Sequence, residues 1–142
     1  MHDPRASSED HHTFNIVGTS RVVEYCSRFG IRKLVLLSSA NVYGPRPENT
    51  QFLTEDAPLL AGSKFSEIRD LIEYDMCGQS FYLKFPDVAT VILRPVHIVG
   101  AVKNAPSNYL RLATMPRLAG FDPMMQFIHE EDVVEAIMCA LI

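Results

Sequence analysis

With 142 residues, 47% of them hydrophobic and 21% charged, the chain is long enough to bury a core and too apolar to stay disordered. Thirteen Lys and Arg against seventeen Asp and Glu give a formal charge of -4, so no broad cationic field exists to hold a phosphate backbone and nucleic acid is not an expected partner. The apolar runs fall well short of the roughly 20 residues that cross a bilayer, and Met1-His2-Asp3-Pro4-Arg5 lacks the apolar core of a signal peptide. Cys26, Cys77 and Cys139 stand far apart, with no partner at metal-ligand spacing. A cytoplasmic protein, without metal and without membrane association, is the expectation.

Residues 1–12 carry Ser7, Ser8, Glu9, Asp10, His11 and His12 and almost nothing apolar, which predicts a flexible lead-in. Ile16, Thr19 or Ser20, Val23, Cys26 and Phe29 then recur at helical spacing up to Gly30, predicting a helix over about 13–28. Leu34-Val35-Leu36-Leu37 is a continuous apolar run, the pattern of a parallel strand buried on both faces. From Gly44 to Leu60 three prolines interrupt a polar segment too long for a plain connector, and long loops beyond strand ends commonly line sites.

Ser63 to about Gln79 reads as a second helix, with Phe65, Ile68, Leu71 or Ile72 and Met76 facing inward and Gly78 loosening its last turn. Ala89-Thr90-Val91-Ile92-Leu93 is a second buried strand, so the order is strand, helix, strand, the unit of a right-handed parallel crossover. After Arg94-Pro95 the spacing predicts a short helix over about 108–113, a turn at Gly120-Phe121-Asp122-Pro123 and a small strand over 125–128. A last helix from about Glu130 places Val133 or Val134, Ile137, Met138 and Leu141 on one face.

Chemistry concentrates at a few positions. Ser38 and Ser39 end the first strand, where an open parallel sheet presents side chains to a crevice; they can donate to a substrate oxygen or simply close the strand. Lys64, in the first turn of the second helix, is either a solvated lysine or an ammonium that bonds ribose hydroxyls and lowers the pKa of a neighbouring phenol. The residue four places before it is Leu60, which has no proton to give. Tyr43 and Tyr74 stand on other turns, so neither replaces that phenol cleanly. His97, just past the second strand, is either an acid or base near neutrality or a hydrogen-bonded loop histidine. His129, Glu130, Glu131 and Asp132 read as a capped helix start, since no zinc spacing completes them.

Several ordered motifs resemble the extended short-chain dehydrogenase/reductase family, the NAD-dependent epimerase/dehydratase group. Asn15-Ile16-Val17-Gly18-Thr19 is similar to its N-x-x-G-T helix start, and Ser38-Ser39-Ala40-Asn41-Val42-Tyr43-Gly44 to its S-S-x-x-V-Y-G strand end. Thr54-Glu55-Asp56-Ala57-Pro58 is similar to T-E-x-x-P, Leu93 to Gly100 to L-R-P-x-N-x-Y-G, and Phe127 to Val133 to F-I-H-V-x-D-V. The resemblance implies an α/β fold: a partial Rossmann-like parallel sheet with flanking helices and part of a small C-terminal substrate-binding region, with residues 101–127 as a substrate-region insertion.

It further implies that Ser39, Lys64 and His97 are the catalytic positions, that Ser38, Lys64, Pro95 and Val96 border NAD or NADP, and that Ser39, Asn41 and His97 meet the substrate, a nucleotide sugar or other small hydroxy compound. Asn15 matches a structural asparagine near the cofactor side of the sheet. His97 stands where the family's sugar-nucleotide enzymes have asparagine.

The chain departs from the pattern at two places: Leu60 occupies the position of the catalytic tyrosine, and no T-G-x-x-G-x-x-G turn occurs in the sequence. The expectation is therefore a fragmentary relative, with the glycine-rich segment supplied from outside these residues. A catalytically silent binding module, associating with another chain or with its own copies through an exposed sheet, is the alternative.

Overall fold

The computed structural model describes residue 9 and residues 12–46, 49–50, 52–63, 66–101, 106–114, 119–120 and 125–142. The chain divides at the Arg94–Pro95 bond into two units, Met1–Arg94 and Pro95–Ile142.

In the first unit a wide π-helical turn, Thr13–Val17, runs directly into helix α1, Gly18–Arg28, because His12 and Val17 already have right-handed helical backbone. The helix stops where the sequence predicts. Gly30 takes φ 62, and Ile31 N–H reaches back to the Cys26 carbonyl at 3.1 Å, a glycine-terminated C-cap. Ile16, Thr19, Val23 and Cys26 are inward or half-buried, whereas Phe29, at the cap, is 68% exposed.

Strands β1, Lys33–Leu37, and β2, Ala89–Leu93, pair in parallel with Leu34 opposite Thr90 and Leu36 opposite Ile92. Helix α2, Ser66–Lys84, supplies the crossover between them. The core forms on one side of this pair: Cys26 of α1, Leu34 and Leu36 of β1 and Phe81 of α2, with Val23, Tyr74, Phe85, Val88 and Ile92 packed against it. Both helices therefore cover the Leu34/Leu36 face. Leu37, pointing the other way, is 44% exposed, so β1 alternates instead of being buried on both faces.

The second helix differs from its expected course. It continues to Lys84, and Gly78 is a contact point instead of a loosened end: a Cβ there would lie 2.4 Å from Leu36 Cδ1 and 3.0 Å from Ile92 Cδ1. The missing side chain lets the helix approach the sheet. Its inward stripe runs Ile68, Leu71 or Ile72, Asp75, Gly78, Phe81, while Met76, expected inside, is 54% exposed.

The second unit is built on shorter strands. β3, His97–Val99, and β4, Phe127–His129, are parallel with His97 opposite Phe127, so His97 opens a strand where a loop was expected. A 3₁₀ segment, Pro106–Arg111, occupies the expected place of a short helix. Helix α3, Glu130–Leu141, starts at the predicted residue. His129 Nδ1 accepts from Glu131 N–H at 3.4 Å, and Glu130, Glu131 and Asp132 fill the first turn. Side chains tie the connecting backbone down: Ser107 Oγ donates to the Ile98 carbonyl, Arg111 to that of Gly100, and Glu130 Oε1 accepts from Ala101 N–H at 2.8 Å.

Most of the expected lead-in lies outside the described residues, as do residues 102–105, 115–118 and 121–124 of the expected insertion. His12 is helical and its Nδ1 stands 3.4 Å from Asp70 Oδ1, so it belongs to the fold and not to a tail. Among the described residues no helix is long and apolar enough to cross a membrane, and no His, Cys, Asp or Glu cluster could hold a metal ion.

Candidate active site

At the carboxyl end of β1 the chain makes a sharp change of role over two residues. Ser38 N–H still bonds the Leu93 carbonyl, at 2.7 Å, extending the ladder. Ser39, extended at φ -153 and ψ 149, then caps a 3₁₀ turn, Ala40–Tyr43, by accepting from Asn41 N–H at 3.2 Å. Gly44 closes the turn at φ 76, and its N–H bonds the Asn41 carbonyl at 3.1 Å. Only glycine fits there, since a Cβ would come within 2.9 Å of Ala61 Cα.

The two serines face different surroundings. Ser39 is half-buried, its oxygen engaged by the cap and its hydrogen left to donate to a neighbouring oxygen. Ser38 is 6% exposed, and its Oγ has no well-formed hydrogen bond among the described residues. It lies close enough to Asp75 to help hold that carboxyl low. Ser38 thus faces inward, while Ser39 is half-buried and Asn41 exposed at the open edge.

Above this edge the proline-rich loop is braced by its own bonds. Asn49 Nδ2 donates to the Gly44 carbonyl at 2.7 Å, Arg46 Nη2 to the Leu60 carbonyl at 3.2 Å and Ala57 N–H to the Thr54 carbonyl at 3.0 Å. Leu60 is 39% exposed. Sequence reading expects such a loop to line a site, and its two ends meet beside the Ser39 turn.

Beneath the edge lies a charged cluster that sequence reading missed. Asp75 is fully buried on α2, and Arg94, the residue following β2, donates to both its oxygens, Nε to Oδ2 and Nη2 to Oδ1, each at 2.8 Å. Gln79 Nε2 adds a third bond at 2.8 Å. Arg94 Nη1 turns the other way, to Tyr43 Oη at 2.7 Å and the Glu55 carbonyl at 3.0 Å, and the guanidinium carbon lies 5.3 Å from the Tyr43 ring centre.

Burial alone would raise the Asp75 carboxyl, but the bonds from Arg94, the nearby Ser38 hydroxyl and the bond from Gln79 outweigh it and hold the group below the ordinary carboxylate range. The same pairing holds Arg94 above its usual value. The signal was present in the sequence as an acidic residue on the inward stripe of α2, one turn before Gly78.

Of the other predicted positions, Lys64 lies outside the described residues. Pro95, Val96 and His97 belong to the second unit, where His97 is half-buried and its ring centre is 6.0 Å from that of Phe127, its cross-strand neighbour. Asn15 is half-buried in the opening π-helical turn. Tyr43 and Tyr74 are both committed elsewhere. Tyr43 is buried on Arg94, and Tyr74 packs against the core, where burial raises its phenol although the Leu37 backbone partly compensates.

A dinucleotide would find only part of a site in these residues. The Ser39 hydroxyl, at the carboxyl edge of two adjacent parallel strands, suits the ribose and reacting carbon of a nicotinamide end. A pyrophosphate needs a glycine turn open to the ligand, and Gly44 is instead closed against Ala61.

The family described as NAD dependent epimerase/dehydratase matches residues 2–142 of the chain. An uncharacterized protein of Mycobacterium tuberculosis is 27% identical over 125 residues, 87% of this chain and 33% of its own length. Rice UDP-glucose 4-epimerase 2 is 36% identical over 96 residues, 68% of this chain and 22% of the rice protein. The chain thus spans about a third or less of the curated relatives it matches. Among solved structures, a Bacillus anthracis dTDP-glucose 4,6-dehydratase in complex with NAD superposes with TM-score 0.74 at 24% identity, over 96% of this chain and 45% of that one. A UDP-Glc/GlcNAc 4-epimerase of Campylobacter jejuni gives 0.66 at 20%, over 92% and 45%. At these identities the structural likeness establishes the Rossmann-like fold.

Proposed function

Because the chain belongs to the NAD dependent epimerase/dehydratase family, we propose that it serves in a nicotinamide-dependent enzyme acting on a nucleotide sugar or related hydroxy compound, with Ser39 as the hydroxyl that meets the substrate. The observation that carries this reading is the Ser39 turn: a half-buried hydroxyl, capped by Asn41 N–H, at the carboxyl edge of parallel β1 and β2.

Bound NAD or NADP would supply a hydride acceptor. Ser39 orients the substrate hydroxyl by donating to its oxygen, and Asn41 and His97 contribute to substrate contact. Lys64 holds the ribose hydroxyls, and Pro95 and Val96 border the nicotinamide. The substrate proton goes to His97 or to water, because Leu60 offers no phenol. Loss of the phenol as a positioned general base costs roughly 10²- to 10⁴-fold in rate where nothing replaces it, so slow turnover is expected.

Two measurements test the reading. Titration of the full chain with NAD and with NADP, followed by fluorescence or calorimetry, is expected to saturate, with weaker binding after Ser39→Ala or Lys64→Ala; absence of saturable binding of either at millimolar concentration overturns it for these residues. Leu60→Tyr, placing a phenol on a partly exposed position, is expected to raise turnover of a nucleotide-sugar panel by about 10²-fold or more.

A second reading is favoured by the exposed apolar side chains on α1 and its flanks. Phe14, Val22, Tyr25 and Phe29 are 74%, 50%, 50% and 68% exposed, with the last three at the spacing of one helical face. A silent module that associates through this surface, with another chain or a second copy, gives a concentration-dependent mass in light scattering. A monodisperse monomer at all concentrations removes that reading.

A further inference from the structure

The Arg94 guanidinium joins four parts of the first unit that are remote in sequence. It is anchored on α2 by Asp75, follows β2 directly, and reaches both Tyr43, at the end of the Ser39-capped turn, and the Glu55 carbonyl of the proline-rich loop. A buried ion pair is a poor device for stability alone, since apolar residues of similar volume frequently replace one without loss. The pair here does something an apolar pair could not. One edge of the guanidinium, Nε and Nη2, is spent on Asp75, leaving Nη1 aimed at Tyr43 and the Glu55 carbonyl.

The path from that nitrogen to Ser39 is short and stiff. Tyr43 is buried, with its ring under the guanidinium and its oxygen bonded to it. Between Tyr43 and Ser39 stands a single 3₁₀ turn, closed at one end by the serine cap and at the other by Gly44 against Ala61. Moving the Tyr43 ring therefore moves the cap. Lysine could keep the charge but has no planar fork to bond Asp75, Tyr43 and Glu55 together.

We infer that Arg94, seated on Asp75, is a positioning residue for the Ser39 hydroxyl, fixing the Ala40–Tyr43 turn and the loop at Glu55 in one arrangement at the sheet edge. The inference deepens the reading of Ser39 as the substrate-facing hydroxyl and rests on it. Its test separates the two.

Three forms of the chain are compared, the wild type, Arg94→Lys and the double variant Asp75→Leu with Arg94→Met, by urea unfolding, by hydrogen exchange and by turnover and cofactor KM. The double variant is expected to keep the wild-type urea midpoint, because no charge is left buried, yet to exchange amides about tenfold faster in residues 39–46 and 54–57, where local opening is no longer held. Its kcat is expected to fall by about 10²-fold with cofactor KM unchanged, the scale of a misplaced reacting group.

Arg94→Lys should show the same local exchange, and it decides the matter should the double variant fail to fold. Native protection over residues 39–46 in the folded variants overturns the inference, as does full kcat in the double variant. If the wild type neither binds cofactor nor turns over, the functional reading fails, and the exchange comparison still decides whether Arg94 holds the turn.

Discussion

The two units reach order by different means. In the first, five-residue parallel strands are covered by two helices, and a core of Cys26, Leu34, Leu36 and Phe81 forms beside the ion pair of the fully buried Asp75 with the largely buried Arg94. In the second, the strands are three residues long, Val133 is the buried apolar side chain of α3, and side-chain bonds from Ser107, Arg111 and Glu130 fasten the connecting backbone. Apolar burial contributes roughly 25 cal/mol per Å², whereas a net hydrogen bond contributes about 1 kcal/mol. The contrast implies that substitutions in the first unit carry large penalties through packing, and those in the second small ones through individual bonds.

The largest effect expected is from Phe81→Ala, which opens a cavity between α2 and the sheet and costs about 3–5 kcal/mol, read as a lower urea midpoint. An effect of similar size from a second-unit side chain would break the contrast. Arg94→Met alone leaves Asp75 buried without its cation and is expected to cost about 3–5 kcal/mol, against little for the double variant.

Acid should act through the same carboxylate. Asp75 is held below its unfolded value, so the unfolded chain takes up the proton first; the contribution is complete above about pH 4 and is lost as pH falls through the folded value. Urea midpoints measured down to about pH 2 are expected to fall in that window, and Asp75→Asn should flatten the part of the slope owed to this group. Gly78→Ala forces a methyl against Leu36 and Ile92; overpacking of about 1–3 kcal/mol, partly offset by the better helix former, is the expected cost.

The smallest change is in the second unit. His129→Ala removes the acceptor for Glu131 N–H at the start of α3 and is expected to cost about 0.5–1 kcal/mol, visible as a small midpoint shift or as faster exchange in the first turn of α3.

How much of this was legible from residues alone varies by element. Helix α1 and its stop at Gly30 were, because apolar spacing and a glycine at the cap are both local. The start of α3 was, because the acidic first turn is local too. Strands β1 and β2 were legible as apolar runs, and the Ser38-Ser39 to Gly44 segment as a strand end with a turn. The inner stripe of α2 was not. Reading inward from Phe65 favours Met76 over Asp75, since a carboxylate costs too much to bury unless something charged meets it, and Arg94 is nineteen residues away in a different element. Gly78 was misread for the same reason: its value lies in Leu36 and Ile92, which only the fold brings to it.

By itself the sequence determined the order of the three long helices and of strands β1 and β2, the stop of α1 and the start of α3, and the serine turn at the carboxyl edge of the first strand, because these depend on neighbours a few residues away. Tertiary structure decided which face of each element is inside, made room for an aspartate in the core and gave Arg94 its four acceptors. Those outcomes depend on partners that meet only when the parallel pair has formed, since the cost of burying a charge is set by what stands opposite it.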